Sequence, residues 1–444
     1  MDPPAAPIRS HQPLKTLYIP IILLRLTLQT LLKFLQYIPQ TSRPSPHDTH
    51  HQALRKTLLR SLLHHLFTTH HHPSPLSLLP HSEHERFVLI PPSHRPGLYS
   101  LDSSSTLAIR PSTITPVPIG GTFYPSPPPL SLSPDSTIVL HFHGGAFMYG
   151  DGRTKTCGFA AKILGRHLGD YAFFPQYRLA GGNGKGGRRK GYFPAALQDA
   201  VTVYVWLIDA VGFQASNIMI SGDGTGGNIA IGLVRWIGEA GLASVEAREL
   251  GMPMGCTLWS PCVDLTGLTK GEIHGHRNFE TDYLDGEFVE WMVAEYLGPY
   301  PAEDGVGSEG NSASFYRERE SLIKSPYISP LRHPFSTNVA IWMMVGKGEI
   351  LNDTIVGFAG KMGGVEGNKV GLYEVDDAPH DILLMGGWLG WEEQLNEAAK
   401  EAGVWMRKKG WKGSGRLEEM GSVERRRRAR EAEERERSGD GIFD

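Results

Sequence analysis

An α/β fold, with a mostly parallel sheet covered by helices on both faces, is predicted by two features of this 444-residue chain. Short apolar runs recur from residue 136 onward, and helix-length stretches separate them, which is the connection parallel strands require. The length allows one large domain with appended segments, or two domains sharing a core, and 40% hydrophobic residues are enough to fill it. A formal net charge of -3 argues against a protein that works by neutralising nucleic-acid phosphate.

Residues 14–38, LKTLYIPIILLRLTLQTLLKFLQYI, are apolar almost throughout, with Arg25, Gln29 and Lys33 at four-residue spacing along one stripe of a helix. This pattern favours a helix lying on a membrane over one crossing it, since a span would hold Arg25 near the bilayer centre at a cost of roughly 2.5–3.5 kcal/mol. Packing on the protein's own cap is the alternative. No small-residue cleavage site follows, which argues against a removed signal peptide.

From about 40 to 135 the chain is rich in Pro, Ser and His, and FVLI at 87–90 and ITPVPI at 114–119 read as edge strands between loops. His64, His65 and His70–His72 have no Cys or carboxylate at ligand spacing, so no metal site is expected. Cys157, Cys256 and Cys262 suggest neither a disulfide framework nor a zinc site.

The sheet itself is expected from STIVLHFH at 136–143, YAFFPQY at 171–177, NIMISG at 217–222, VAIWMMVG at 339–346 and VGLYEVD at 370–376. GGNGKGGRRKG at 181–191 reads as a flexible insertion. The tail, with ERRRRAREAEERERSGDG, has almost nothing to bury and reads as disordered or as a solvated helix. The expected organisation is an apolar helix and cap segment (1–84), a core (85–265), a cap insertion (266–324), a second core part (325–410) and the charged tail (411–444).

HFHGGAF at 141–147 follows a strand directly, and adjacent glycines there let the main chain approach a ligand with its N–H groups inward. Downstream come YRLA (177–180), FPAALQDA (193–200), SGDGTGGNIA (221–230), SPCVDLT (260–266), SPYISPL (325–331), GEILND (348–353) and APHD (378–381). In order and spacing the chain resembles the hormone-sensitive-lipase-like α/β hydrolases over residues 85–405. That group includes bacterial and fungal esterases and the steryl-acetate and arylacetamide deacetylases.

The resemblance implies an α/β-hydrolase fold with a helical cap and, with no cofactor, a carboxylic-ester hydrolase taking lipophilic short-acyl or acetyl esters. It implies His380 as the base, Glu349 as the triad acid, and an oxyanion hole from Gly144, Gly145 and Thr225. Asp353, one helical turn after Glu349, reads instead as complementing a helix N-terminus. Asp223 and Asn228 are expected to fix the turn, and Ser221 to point away along its strand. The family's nucleophilic serine falls on Gly224.

Gly224 admits three readings. The chain is a hydrolase by ancestry with weak or altered activity; or a small-molecule-binding or scaffolding relative, as the plant gibberellin receptors are; or an ordinary esterase with a one-base Ser-to-Gly change. Phe279, Tyr283, Phe288 and Trp291 are candidates for an apolar substrate pocket, with cap packing as the alternative. The expected partners are a small lipophilic ester or apolar ligand and a membrane surface reached through 14–38, with no nucleic acid. That implies an intracellular protein at the endoplasmic reticulum or another membrane.

Overall fold

The computed structural model describes residues 20, 21, 24, 28, 50–68, 76–99, 114–181, 191–298 and 312–413. Its centre is an eight-stranded sheet in the order β1-β2-β4-β3-β5-β6-β7-β8. The strands are β1 (Phe87–Ile90), β2 (Ile119–Tyr124), β3 (Ile138–Phe142), β4 (Tyr171–Gln176), β5 (Ile218–Asp223), β6 (Gly255–Trp259), β7 (Ala340–Gly346) and β8 (Val370–Val375). β1 and β2 pair antiparallel, β2 runs antiparallel to β4, and every pairing from β4 to β8 is parallel.

β3, β5, β6 and β7 are buried at every position, which is why they read as unbroken apolar runs, whereas β8 at the edge is largely half-exposed. ITPVPI is mostly loop. Pro116 and Pro118 cannot donate to a ladder, and β2 begins only at Ile119 and runs through GGTFY.

The helices are α1 (His50–Thr68), α2 (Thr154–His167), α3 (Ala195–Trp206), α4 (Gly224–Ala243), α5 (Val245–Arg248), α6 (Lys270–Gly275), α7 (Gly286–Leu297), α8 (Ser312–Ile323), α9 (Asn352–Gly363), α10 (Ile382–Leu389) and α11 (Glu392–Arg407). α2 and α11 pack together, α11 lying against β7 and β8; α3 and α4 form another packed pair, with α4 against β5 and β6. α1 and α7 pack against each other over the sheet's carboxyl end. Arg60 of α1 lies 4.0 Å over the Phe279 ring and donates to the carbonyls of Phe279 and Asp282. Arg55 donates to Trp388 O of α10 at 2.7 Å.

Folding also brings carboxylates to a histidine where spacing along the chain shows none. His64 Nδ1 lies 3.3 Å from Asp285 Oδ2 and 3.8 Å from Glu287 Oε2. Asp285 caps α7 by accepting from Phe288 N, and Glu287 pairs with Lys270 at 2.7 Å, so these charges are engaged in joining cap helices.

His70–His72, residues 182–190 and 414–444 lie outside the described residues. Of 14–38 only Pro20, Ile21, Leu24 and Leu28 are described, as helical and exposed. Among the described residues no helix is long and apolar enough to cross a membrane.

Candidate active site

β5 ends at Asp223 and α4 begins at once, so residue 224 sits on a tight strand-to-helix turn. Gly224 has φ +49, a left-handed conformation that glycine adopts without steric cost. Gly226 lets the start of α4 lie against the end of β3: a Cβ there would fall 2.0 Å from Phe142 O. Asn228 then ties α4 to the following loops, donating to Cys262 O and Ile328 O at 2.9 Å each.

A Cβ added to Gly224 would lie 3.4 Å from His380 Nε2 and 3.2 Å from Asp381 Oδ2. His380 is aimed by its other nitrogen: Nδ1 donates to Glu349 Oε2 at 2.8 Å. Glu349, fully buried, uses its second oxygen to accept from Ser260 Oγ at 3.0 Å and Gly346 N at 2.8 Å. Burial pulls the His380 imidazole down, but the Glu349 hydrogen bond and charge outweigh it and leave His380 above the ordinary histidine value.

Asp282 locks this pair together and was not visible as a site residue in the sequence. Its Oδ1 accepts from His380 N at 3.0 Å and Tyr283 N at 2.7 Å, while Oδ2 accepts from Ile350 N at 2.7 Å. One buried carboxylate thus fixes the backbones that carry both the imidazole and its acidic partner.

The oxyanion-loop expectation needs one correction. Gly144 N donates to Asp223 Oδ2 at 2.8 Å, so this N–H is already engaged and unavailable to a ligand. Gly145 and its neighbour Ala146 instead line the cavity beside Gly224 and Thr225. Thr225 N lies in the first turn of α4, where no intrahelical acceptor exists, and Thr225 Oγ1 accepts from Phe147 N at 3.1 Å, fastening the loop to the elbow.

Ser221 is buried beneath, between His141 Nδ1 at 2.9 Å and Trp259 Nε1 at 3.1 Å, away from the cavity. Asp353 is exposed in the first turn of α9 and pairs with Arg277. Above the turn opens a cavity of about 320 Å³ whose floor is Gly224, His380 and Asp381 and whose walls are almost wholly apolar.

The model of a family described as alpha/beta hydrolase fold (Abhydrolase_3) matches residues 139–384. The chain belongs to that family. This α/β hydrolase is 25% identical over 269 residues to Lipase 2 of Moraxella sp. (strain TA144), 56% of this chain and 55% of that protein. It is 29% identical over 145 residues to Esterase LipI of Mycobacterium tuberculosis (strain ATCC 25618 / H37Rv), 32% of this chain and 41% of that protein. The chain thus spans about half the length of the curated relatives it matches. Among solved structures it is similar to a hyperthermophilic esterase from the archaeon Pyrobaculum calidifontis, at 18% identity and TM-score 0.49, covering 85% of this chain and 97% of that one.

Of the four aromatic candidates, Tyr283 and Phe288 line the hydrolase's cavity. Phe279 does not, since its ring lies under Arg60, and Trp291 is buried behind Phe288 with its ring edge-on at 6.1 Å. Leu59 and Leu63 of α1 and Leu384 and Met385 of α10 add to the wall. α1 is histidine-rich and without a strong apolar stripe, so no signal marks its leucines. Leu384 and Met385 follow His380 by one helical turn, which is a signal spacing does carry.

Proposed function

We propose that this hydrolase binds lipophilic short-acyl or acetyl esters and cleaves them slowly by a water that His380 activates at Gly224, with no acyl-enzyme. The carrying observation is the 3.4 Å between His380 Nε2 and the missing Cβ of Gly224. A nucleophile side chain would point there, and its absence leaves room for a water in line with the imidazole. Gly145, Ala146 and Thr225, which border that space, are the N–H donors for the developing oxyanion. Glu349 holds the tautomer that leaves Nε2 free to accept a proton.

Cavity size and apolar walls support a small lipophilic ester as ligand. Ile21, Leu24 and Leu28 are exposed at spacings of three and four on one helical face, which supports delivery of that ester from a membrane surface. The same cavity favours a second reading, a binding protein without turnover, because Gly224 supplies nothing that can bond to a substrate. Hydrolysis of p-nitrophenyl acetate and butyrate by the full chain separates the two. Turnover that His380→Ala removes supports the hydrolase; equal rates with and without His380 leave only binding.

A further inference from the structure

Asp381 is used by nothing in this scheme, yet it stands on the cavity floor. It is 2% exposed, holds φ +51, and its Oδ1 caps α10 by accepting from Leu384 N at 3.1 Å. Its Oδ2 faces the elbow, 3.2 Å from the Cβ position of Gly224, while His380 Nε2 faces the same point from 3.4 Å.

Behind it lies a second buried carboxyl. Asp381 Oδ2 and Asp223 Oδ2 converge beside Gly144, 2.9 and 2.5 Å from its Cβ position, and two carboxyl groups that meet in this way share a hydrogen bond only if one carries a proton. Asp223 already accepts from His141 Nε2 on Oδ1 at 2.8 Å and from Gly144 N on Oδ2 at 2.8 Å. The proton therefore sits on Asp381. Burial and the adjacent Asp223 charge push the Asp381 carboxyl well above the usual range, whereas His141 and Asp381 hold Asp223 below it against burial.

We infer that Asp381 Oδ2 and His380 Nε2 together hold the hydrolytic water at Gly224, so that a water held at two points replaces the covalent nucleophile. The inference rests on the water-based reading above. The water donates one hydrogen to His380 Nε2 and the other to a lone pair of Asp381 Oδ2, which leaves its oxygen lone pair for the ester carbonyl carbon.

As the new C–O bond forms, the carbonyl π pair moves onto oxygen and the first proton passes to His380. When the alkoxy C–O bond breaks, His380 returns that proton to the departing alcohol. The water's second hydrogen stays on the acid product. Asp381 keeps its own proton throughout. Asp381 and Gly224 are thus a matched pair, since a serine at 224 brings its Cβ against Asp381 Oδ2 and displaces the water.

Asp381→Asn is the sharpest test. Asparagine tolerates the left-handed backbone, keeps an acceptor for Leu384 N and can donate to Asp223, yet it turns a donor toward the water in place of an acceptor. With p-nitrophenyl butyrate, kcat should fall about 10²-fold with KM unchanged. Asp381→Gly suits φ +51 and is the second variant; it should lower activity in the native chain but raise it in Gly224→Ser, where the carboxyl only crowds the serine.

A loss of activity in both backgrounds would reduce Asp381 to a helix cap and overturn the inference. So would full kcat in Asp381→Asn beside loss in His380→Ala, which leaves the water-based reading standing. A native chain with no His380-dependent turnover overturns both.

Discussion

Gly224 and His380 face each other across a gap fit for one small group: a carbon added to Gly224 would stand 3.4 Å from Nε2. Gly224→Ser should therefore place a hydroxyl within reach of the base. Restored nucleophiles are worth up to about 10⁶ in turnover, and crowding against Asp381 takes part of that away, so a gain of at least about 10²-fold in butyrate ester hydrolysis is expected. The gain should vanish in Gly224→Ser with His380→Ala, as steady-state rates will report.

The pH profile follows from His380. The imidazole must be neutral to accept a proton, and Glu349 holds it above the ordinary histidine value. Activity should therefore be lost as pH falls through a value above that of free histidine. Glu349→Gln removes the largest raising influence and leaves burial opposed only by the smaller effects of Asp282 and Asp223, so the acid limb should move to lower pH while the plateau drops. A kcat/KM profile of both chains checks the sign.

Asp282 carries stability as well as alignment. It is 1% exposed and accepts three backbone N–H groups. Asp282→Asn exchanges one acceptor oxygen for a donor and leaves a buried N–H unmatched, at a cost of about 1–3 kcal/mol. Urea unfolding should register that loss, and kcat should fall with it because either His380 or Ile350, the neighbour of Glu349, is released.

α1 forms a wall of the cavity through Leu59, which is 7% exposed, and Leu63. Leu59→Ala should raise KM for butyrate roughly tenfold and for acetate less, because only the longer acyl chain has methylenes to bury against it. kcat should hold, since Leu59 only lines the wall and carries no group that moves a proton.

The sequence made the chemistry-bearing turns legible and left their supports hidden. β3, β5 and β7 are buried on both faces, so their apolar runs stand out, and Gly224 and Glu349 follow β5 and β7, while His380 comes after the half-exposed β8. β6 escapes the pattern because Gly255 and Thr257 interrupt the apolar run of GCTLW, and β2 because its glycines dilute it. Gly144 was misjudged because spacing cannot reveal that its N–H is claimed by Asp223, 79 positions away. Asp282 is likewise an ordinary acidic residue until the fold brings it to His380, and Asp381, the chain neighbour of His380, until the fold turns it toward Gly224.

The most direct test of the account is the intact mass of the chain quenched during p-nitrophenyl butyrate turnover, read beside the rate of His380→Ala. The account predicts His380-dependent hydrolysis with no butyryl group on the protein. A butyryl adduct on any residue, or a native rate no higher than that of His380→Ala, would contradict it.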